Sequence, residues 1–364
     1  MNISNSLIRI VNYIWLKKNV SMADITEELL IEKSTVSRTL NRLKKLGLIK
    51  KTGELEPSSL GGRKTNLFTF NYKAGNILGV QVEQDGIGYV LTDLEGNTKK
   101  KGLVREKISK ENIVKIIIDE LSKAKTKKTI GVGISIPGII DTKGGKILFS
   151  SALGLENFPL SDILRKEVEL PIIIENDSNA GVSYFKLAYR KDAKNMVYFL
   201  LSLPYDISDN IGFGMGILID EKIYHGTKNL SGEFEIGRPI SKNKNNMDIS
   251  QFLDWVDTPE AEEELIEFLG FLSEKLSFAI SILDPEFVVI GGNFTLLPKK
   301  FLNLLIKKIK ERISMWKYRD TEIEMEKSQE LIMAKGAASI VLHHFFMTRK
   351  GIKEFLENIE DIGV

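Results

Sequence analysis

Cysteine is absent from this chain of 364 residues, which excludes disulfide bridges and zinc sites built on thiolates. Histidine is nearly absent as well, with three residues, so a structural zinc site held by imidazoles is disfavoured. We therefore expect neither a metal nor a resident cofactor.

Long apolar runs are also missing. No segment approaches the length that a membrane-spanning helix needs. The most apolar early stretch, residues 7–16, is interrupted by Arg9 and Asn12 and has no small-residue cleavage site, which disfavours a signal peptide. Hydrophobic residues at 43% and charged residues at 27% are typical of a globular protein, and the length favours two or three domains. We expect a cytoplasmic protein without a membrane partner.

Acidic residues are scarce in the first 72 positions. This segment holds twelve Lys and Arg against six Asp and Glu, a net charge of +6, whereas the remainder of the chain has a net charge of −4. A basic amino-terminal segment on a mildly acidic body is typical of proteins that bind nucleic acid.

The first 46 residues have the spacing of three short helices. Apolar residues at helical intervals predict a first helix that ends near Lys18. Ser21 followed by Asp24 predicts the start of a second, shorter helix. A third helix is expected from Lys33 to Leu46, where Gly47 stops it. Three short helices with a tight second turn form the helix-turn-helix pattern.

The third helix has two different faces. Val36, Leu40 and Leu43 fall on one side, which we expect to face inward. The opposite side is polar, and the segment from Lys33 to Lys51 holds seven basic residues and no acidic one. Such a face suits a helix in the major groove, where arginine reads guanine and asparagine reads adenine. A solvated surface helix is the alternative interpretation. The candidate DNA-contacting residues are Lys33, Ser34, Thr35, Ser37, Arg38, Asn41, Arg42 and Lys45.

The segment after the third helix has the pattern of a wing. Residues 48–51 and 67–70 read as two strands around a polar loop. The loop contains two glycines followed by Arg63 and Lys64, and an arginine beside flexible glycines can enter a narrow minor groove. We add Arg63 and Lys64 to the candidate DNA contacts, although the same short motif occurs in many linkers.

The rest of the chain alternates strands and helices in the manner of an α/β body. The segments that read as strands are 77–82, 88–93, 130–138 and 172–177, and those that read as helices are 178–189, 265–283 and 302–313. The first two strands predict a hairpin, and the helix over 265–283 is expected in the core or on a dimer surface.

Short motifs are spread over nearly the whole chain. They are Thr35-Val36-Ser37-Arg38, Gly62-Arg63, Ser135-Ile136-Pro137-Gly138, Glu175-Asn176-Asp177-Ser178-Asn179-Ala180, the glycine-rich residues 211–216, Gly226 with Ser231-Gly232-Glu233, and residues 284–292. None of them is specific alone. Their order and spacing together resemble the repressor, open-reading-frame and kinase (ROK) family of sugar-responsive repressors and sugar kinases.

The resemblance implies a domain organisation. It places a winged helix-turn-helix DNA-binding domain over residues 1–70, followed by a two-lobed α/β body with the actin/hexokinase-like ATPase (ribonuclease H-like) fold. The first lobe is expected over residues 71–184, completed by a carboxy-terminal helix over 335–364, and the second lobe over 185–334. A sugar effector would bind in the cleft between the lobes.

The resemblance breaks at the turn that binds ATP phosphates in the family's kinases. That turn has the sequence Asp-x-Gly-Gly-Thr, and its glycines let backbone amides approach the phosphates. Here Gln81 replaces the acid, and Glu83 and Gln84 replace the glycines. Acidic side chains would repel a triphosphate, whose transfer depends on charge neutralisation. We expect negligible kinase activity, so Asp177, which matches the kinases' catalytic base, is not expected to be catalytic.

The implied sugar site is partly kept. Gly138, Asn176 and Asp177 match family positions, and in a repressor the Asp177 carboxylate would only hydrogen-bond a sugar hydroxyl. A helix cap formed by Asp177 or Ser178 is the alternative interpretation.

Other parts of the sugar site are changed. Family members place a histidine after a Gly-Glu pair and a cysteine-rich zinc cluster further along, and both are missing from this sequence. Either Glu233 or Glu235 is the family's glutamate, and the second register puts Arg238 where the histidine belongs. An Arg238 that faced the cleft would favour a phosphorylated or acidic sugar. His225 is a candidate substitute contact or a structural residue.

These observations predict a transcriptional regulator of carbohydrate-metabolism genes, more a repressor than an activator. Its expected partners are double-stranded operator DNA, a sugar or sugar-phosphate effector, and a second copy of the chain, since two-fold operators need two recognition helices. The alternatives are an ATP-dependent sugar kinase with an appended DNA-binding domain, and a constitutive DNA-binding protein with a vestigial body.

Overall fold

The computed structural model describes residues 4–55, 64–190, 192–203, 211–235, 237–241, 247–327 and 330–362. The α-helices are α1 (Asn5–Leu16), α2 (Met22–Leu29), α3 (Lys33–Lys45), α4 (Ile113–Ala124), α5 (Leu160–Leu164), α6 (Asp177–Ala188), α7 (Ile249–Trp255), α8 (Pro259–Leu283), α9 (Lys299–Arg312), α10 (Ile332–Met347) and α11 (Arg349–Ile362). The strands are β1 (Val20–Ser21), β2 (Ile49–Leu55), β3 (Thr65–Phe70), β4 (Asn76–Glu83), β5 (Gly86–Asp93), β6 (Thr98–Arg105), β7 (Thr129–Ile136), β8 (Ile139–Asp141), β9 (Lys146–Ser150), β10 (Leu155–Phe158), β11 (Ile172–Asn176), β12 (Met196–Ser202), β13 (Gly212–Ile219), β14 (Lys222–Ile223), β15 (Phe287–Gly291) and β16 (Glu322–Met325). Within the described ranges, no helix has the length and apolar character needed to cross a membrane.

The amino-terminal domain is the predicted winged helix. Val36, Leu40 and Leu43 are buried on one side of α3, because the helical period places them together against α1 and α2. Gly47 then takes a left-handed backbone with φ of 66°, and the N–H of Leu48 donates to the Leu43 carbonyl, which closes the helix.

The wing sheet has one strand more than the sequence predicts. Its order is β1-β3-β2, with both pairings antiparallel. The two residues of β1 are too few to produce an alternating pattern. They lie directly before α2, where Ser21 and Asp24 form the predicted capping box.

The first lobe of the body is built on a five-stranded sheet of order β11-β7-β4-β5-β6. The predicted hairpin is present as β4 and β5, and β4, β7 and β11 run parallel to one another. Apolar residues on one face of this sheet, including Leu78 and Ile134, pack with Ile117 of α4 and Leu164 of α5. A small antiparallel sheet of order β10-β9-β8 extends from the lobe.

The second lobe repeats this design. Its sheet has the order β14-β13-β12-β15-β16, with β12 parallel to β15 and antiparallel to β13. The predicted helices over 265–283 and 302–313 are present as α8 and α9. Their apolar residues pack with Val197 and Phe199 of β12.

Two helices, α10 and α6, lie between the two sheets in close backbone contact. A Cβ added at Gly79 of β4 would stand 1.9 Å from the Ala334 carbonyl oxygen of α10. A Cβ at Gly336 of α10 would stand 2.0 Å from the Ala180 oxygen of α6, and one at Gly216 of β13 would stand 2.0 Å from the Ser178 oxygen. The layers therefore follow the order first sheet, α10, α6, second sheet.

The carboxy-terminal segment packs on the first lobe through α10, but it forms two helices where the sequence predicted one. The predicted boundary between residues 184 and 185 falls inside α6, which contacts elements of both lobes. The domain bounds remain a prediction.

The winged helix shares a hydrophobic core with the body. The Trp15 ring of α1 stacks on Phe346 of α10 at 4.6 Å between centroids, and its Nε1 donates to the Leu94 carbonyl at 2.8 Å. The Tyr72 hydroxyl donates to the Trp15 carbonyl, also at 2.8 Å. These contacts join α1 directly to the helix that runs between the sheets, and no local sequence pattern predicts them.

We expect Gly79→Ala to lower the free energy of unfolding by about 1–3 kcal/mol, because the added methyl group forces α10 away from the sheet. Urea denaturation of the whole protein measures this change. Gly53→Ala is the matched control, since a Cβ at Gly53 meets no atom within 4 Å. Equal midpoints for the two variants would contradict the close packing.

Candidate DNA interface and effector site

The polar face of α3 is exposed as predicted. The predicted contact residues that are exposed on this helix are Lys33, Ser34, Arg38, Asn41 and Lys45. The Arg38 guanidinium lies along the preceding turn, where Nε donates to the Ser34 carbonyl and Nη2 to the Thr35 hydroxyl, both at 3.3 Å. The helix thus presents cationic and amide side chains to solvent on the side opposite its core.

Three other predicted DNA-contacting residues are less exposed. Thr35 and Ser37 are half-buried. Arg42 is half-buried too, and its Nη2 lies 3.9 Å from the Glu360 carboxylate of α11, which draws it toward the body. Arg42 is therefore a weaker candidate for a DNA contact than the exposed residues of α3.

The wing contributes one described residue to the predicted set. Lys64 is exposed next to the start of β3. Arg63 and the two glycines before it lie outside the described residues.

Asn176 begins α6 and organises the predicted effector site. Its Oδ1 accepts from the backbone N–H of Ser178 at 2.8 Å and of Asn179 at 3.2 Å. Its Nδ2 donates to the Gly138 carbonyl at 2.8 Å and lies 3.4 Å from Glu233 Oε1. The cap is thus Asn176, and the alternative interpretation of Asp177 or Ser178 as the helix cap is wrong. The polar groups of Asn176 hold Gly138 and Glu233 beside the helix start.

Asp177 is the most perturbed carboxyl group of the cleft. Desolvation, reinforced by the charges of Glu233 and Glu83, raises its pKa from the ordinary 3.8 to about 7, against a hydrogen bond from the Ser178 N–H. Desolvation also raises the pKa of Glu233 and of Glu83. The charges of Glu83 on β4 and of Glu233 after β14 therefore both act on Asp177 at the start of α6.

At the position of the kinases' phosphate turn, Gln81 makes contacts within the protein. Gln81 Oε1 accepts from the Ala334 N–H at the start of α10 at 3.2 Å, and Gln81 Nε2 donates to Glu83 Oε1 at 2.8 Å. Both halves of the Gln81 amide are engaged, and Glu83 adds an acidic group beside them.

The alternative register with Glu235 and Arg238 is not supported by the geometry. Both glutamates are exposed, but Glu233 meets Asn176 at the start of α6. Arg238 donates to Glu267 of α8 at 2.6 Å and lies over the Phe271 ring at 5.6 Å. The expectation that Arg238 faces the cleft is therefore wrong, because an acidic and an aromatic residue of α8 hold its guanidinium.

His225 has a specific partner that sequence reasoning missed. Its Nε2 lies 2.7 Å from Glu175 Oε2, and this hydrogen bond raises the pKa of His225 against the effect of its burial. Glu175 also accepts from the side chain of Asn179 at 3.0 Å. Its position directly before Asn176 and Asp177 in the chain was the available signal. Among the described residues, no group of three or more His, Asp or Glu side chains is placed to hold a metal ion.

We expect Asp177→Asn to be more stable than the natural protein near pH 8. The folded-state pKa of Asp177 lies above its ordinary value, so ionisation of this carboxyl opposes folding and stability falls as the pH rises from about 4 to about 7. The difference is at most about 4 kcal/mol, since one pKa unit corresponds to about 1.4 kcal/mol.

Urea denaturation of both proteins between pH 4 and pH 8 tests this expectation. The stability difference should become small at the acidic end, where Asp177 is protonated in the folded state and only about half ionised in the unfolded state. A difference that stays constant over the whole range would show that the folded protein does not perturb this carboxyl.

Two curated xylose repressors are similar to this chain in sequence. A xylose repressor of Caldicellulosiruptor bescii is 24% identical over 377 residues, covering 89% of this chain and 92% of that protein. A xylose repressor of Bacillus spizizenii is 32% identical over 222 residues, covering 59% of this chain and 55% of that protein.

Solved structures share the fold. A ROK family transcriptional regulator described as a homologue of the E. coli MLC protein superimposes with a TM-score of 0.75 at 16% identity, covering 97% of this chain and 98% of that one. A ROK family glucokinase from Streptomyces griseus, in complex with glucose and AMPPNP, matches with a TM-score of 0.59 at 17% identity over 73% of this chain and 99% of its own.

The predicted family and fold are confirmed by two family models. The MarR family model matches residues 8–63, and the ROK family model matches residues 77–237. The chain therefore contains a MarR-type winged-helix domain and, after it, a ROK family domain.

Proposed function

We propose that this chain is a cytoplasmic, sugar-responsive transcriptional repressor of carbohydrate-metabolism genes that binds double-stranded operator DNA. The observation that carries the proposal is the exposed cationic face of α3. The domain that holds α3 is packed on a body with the sugar-kinase fold through the contact between Trp15 and Phe346. A DNA-reading helix and a sugar-binding fold in one core are the two parts that such a repressor needs.

The chemistry of the cleft argues against phosphoryl transfer. A kinase must neutralise the charge of the triphosphate. Here Gln81 is bound to α10 and Glu83 stands next to it, so the turn offers an acid in place of free backbone amides. We infer that the body senses its ligand without chemical turnover.

We infer that the effector is a neutral sugar. Glu83, Asp177 and Glu233 are hydrogen-bond acceptors that repel phosphate, and Arg238 is held by α8. With a pKa of about 7, the Asp177 carboxyl can accept a hydrogen bond from a hydroxyl or, when protonated, donate one. The relatives are named xylose repressors, which makes D-xylose the first effector to test.

The route from the cleft to the DNA-binding domain is short. α6 begins at Asp177 and packs along α10, and α10 carries Phe346 against Trp15 of α1. A sugar that moves the start of α6 would favour one arrangement of these helices over another, and so shift the population of winged helices placed for DNA.

We further propose that the repressor acts as a homodimer. Phe278 and Ile282, one turn apart on α8, are 69% and 65% exposed. An apolar patch of this kind on a helix suits a two-fold contact with a second copy, which would supply the second recognition helix for a two-fold operator.

Arg38→Ala is expected to weaken binding to a specific operator by about 1–3 kcal/mol, because an arginine that reads guanine makes two hydrogen bonds to it. Fluorescence anisotropy with a promoter fragment from the same genome measures the affinity. Lys107→Ala, an exposed site on the body, is the control for a general loss of positive charge.

Light scattering on the complexes is expected to show two chains per operator.

Equal affinities of the Arg38 variant and the natural protein would assign Arg38 a bystander role. If the natural protein binds no promoter fragment at low ionic strength, the proposal of a DNA-binding repressor itself is wrong.

D-Xylose is expected to lower operator affinity by about tenfold, a typical coupling between two sites. Glucose 6-phosphate should have no effect, because the cleft presents three acidic side chains to it. Asp177→Ala should abolish the xylose response while keeping the affinity for DNA, and Asp119→Ala, on the exposed side of α4, should keep both.

Two results would contradict this expectation in different ways. Operator binding that no sugar of a broad panel alters would favour a constitutive DNA-binding protein. Sugar-dependent consumption of ATP in a coupled assay would favour the sugar kinase with an appended DNA-binding domain.

A further inference from the structure

A second cavity lies between the winged helix and the body, outside the effector site. Its volume is about 760 Å³, which suits a small organic molecule. Its walls include Trp15 and Leu16 of α1, Ile173 of β11, Ile223 of β14 and Ile340 of α10. Asp177 and Glu233 do not line it. The cavity therefore has apolar walls from both domains and is separate from the predicted sugar contacts.

Basic residues outnumber acidic residues in the lining of this cavity. Its lining includes the five basic residues Lys143, Arg165, Lys186, Lys222 and Lys350, against three glutamates. Each glutamate has a cationic or imidazole partner: Glu175 meets His225 at 2.7 Å, Glu221 meets Lys186 at 3.8 Å, and Glu354 meets His344 at 2.9 Å. The three histidines of the chain, His225, His343 and His344, all line the cavity. The balance of charge favours an anion.

We propose that this cavity is a binding site for a small organic anion with an apolar body. The apolar part packs between Trp15, Ile223 and Ile340, and the acidic group lies toward the basic rim. Lys143 and Lys222 are exposed residues of that rim. Burial of apolar surface supplies affinity, and the cationic rim selects the sign of the charge.

Glu175 separates this cavity from the effector site. Its Oε2 accepts from Thr142 at 3.2 Å and meets His225 on the cavity side. Its Oε1 accepts from the Asn176 N–H at 2.9 Å and from the Asn179 side chain at 3.0 Å, next to Asp177. A ligand that engages His225 would therefore act on the start of α6. This regulatory consequence rests on the proposed repressor function, whereas binding in the cavity does not.

The test uses 8-anilino-1-naphthalenesulfonate, a fluorescent organic anion with an apolar body, titrated into the full-length protein without DNA. Saturable binding to the natural protein is expected. The double variant Lys143→Glu with Lys222→Glu should weaken binding by at least about fivefold, because it reverses two charges at the rim. Ile223→Trp should weaken it as well by filling the cavity.

Matched controls separate the cavity from general surface binding. Lys107→Glu with Lys228→Glu changes the net charge by the same amount at exposed positions outside the lining, and Met315→Ser removes an exposed apolar side chain outside the lining and outside the proposed dimer contact. Both should leave dye affinity unchanged. Thermal midpoints of all variants establish that they are folded. If Ile223→Trp does not fold, the double variant at Lys143 and Lys222 alone tests the proposal, because substitutions at two exposed positions leave the core unchanged.

Three outcomes would overturn the proposal: no saturable binding to the natural protein, equal affinities of the rim variant and its charge control, or loss of binding in Met315→Ser. DNA affinity plays no part in this assay, so its failure would leave the repressor function untouched, and failure of the repressor function would leave the cavity site intact.

Discussion

The close approach of α10 to the first sheet and to α6 is the constraint on which the rest of the structure depends. Side chains normally keep such layers well apart, but Gly79 and Gly336 let backbone meet backbone on both sides of α10. Because α10 is packed this closely on both sides, it has few possible positions between one packed arrangement and another. Movement at the start of α6 is therefore passed to α10 as displacement of a whole helix, with little side-chain repacking to absorb it.

The winged helix depends on the same helix. Trp15 stacks on Phe346, and its indole donates to Leu94 of the first lobe, so the DNA-binding domain is fixed to two points of the body. A flexible tether would leave the recognition helix indifferent to events in the cleft. Attachment through a shared core makes the position of α3 a property of the body, which is the physical requirement for control by an effector.

The sequence predicted those features that are encoded locally and missed those that depend on distant partners. The capping box at Ser21 and the inward face of α3 follow from helical geometry within a few residues. The direction of Arg238 could not be predicted, because it is set by Glu267 and Phe271 on α8. The Trp15 contact was missed for the same reason, as Leu94 and Phe346 are remote in the chain. Motif order identified the cleft, but only the fold distinguished Glu233 from Glu235.

Gln81 lies at the position of the kinase phosphate turn and contacts the helix that carries Phe346. In a kinase turn the backbone near this position must stay open for phosphates. Gln81 instead donates to Glu83 and accepts from the first turn of α10, a helix whose amino terminus has no side-chain cap of its own. The glutamine that replaces the acid of the kinase turn thus joins β4 to the helix that carries Phe346. A turn with free backbone amides, as phosphate binding requires, would lack the hydrogen bond between Gln81 and α10. Kinase-type catalysis and a rigid connection from β4 to the winged helix therefore require different residues at this position.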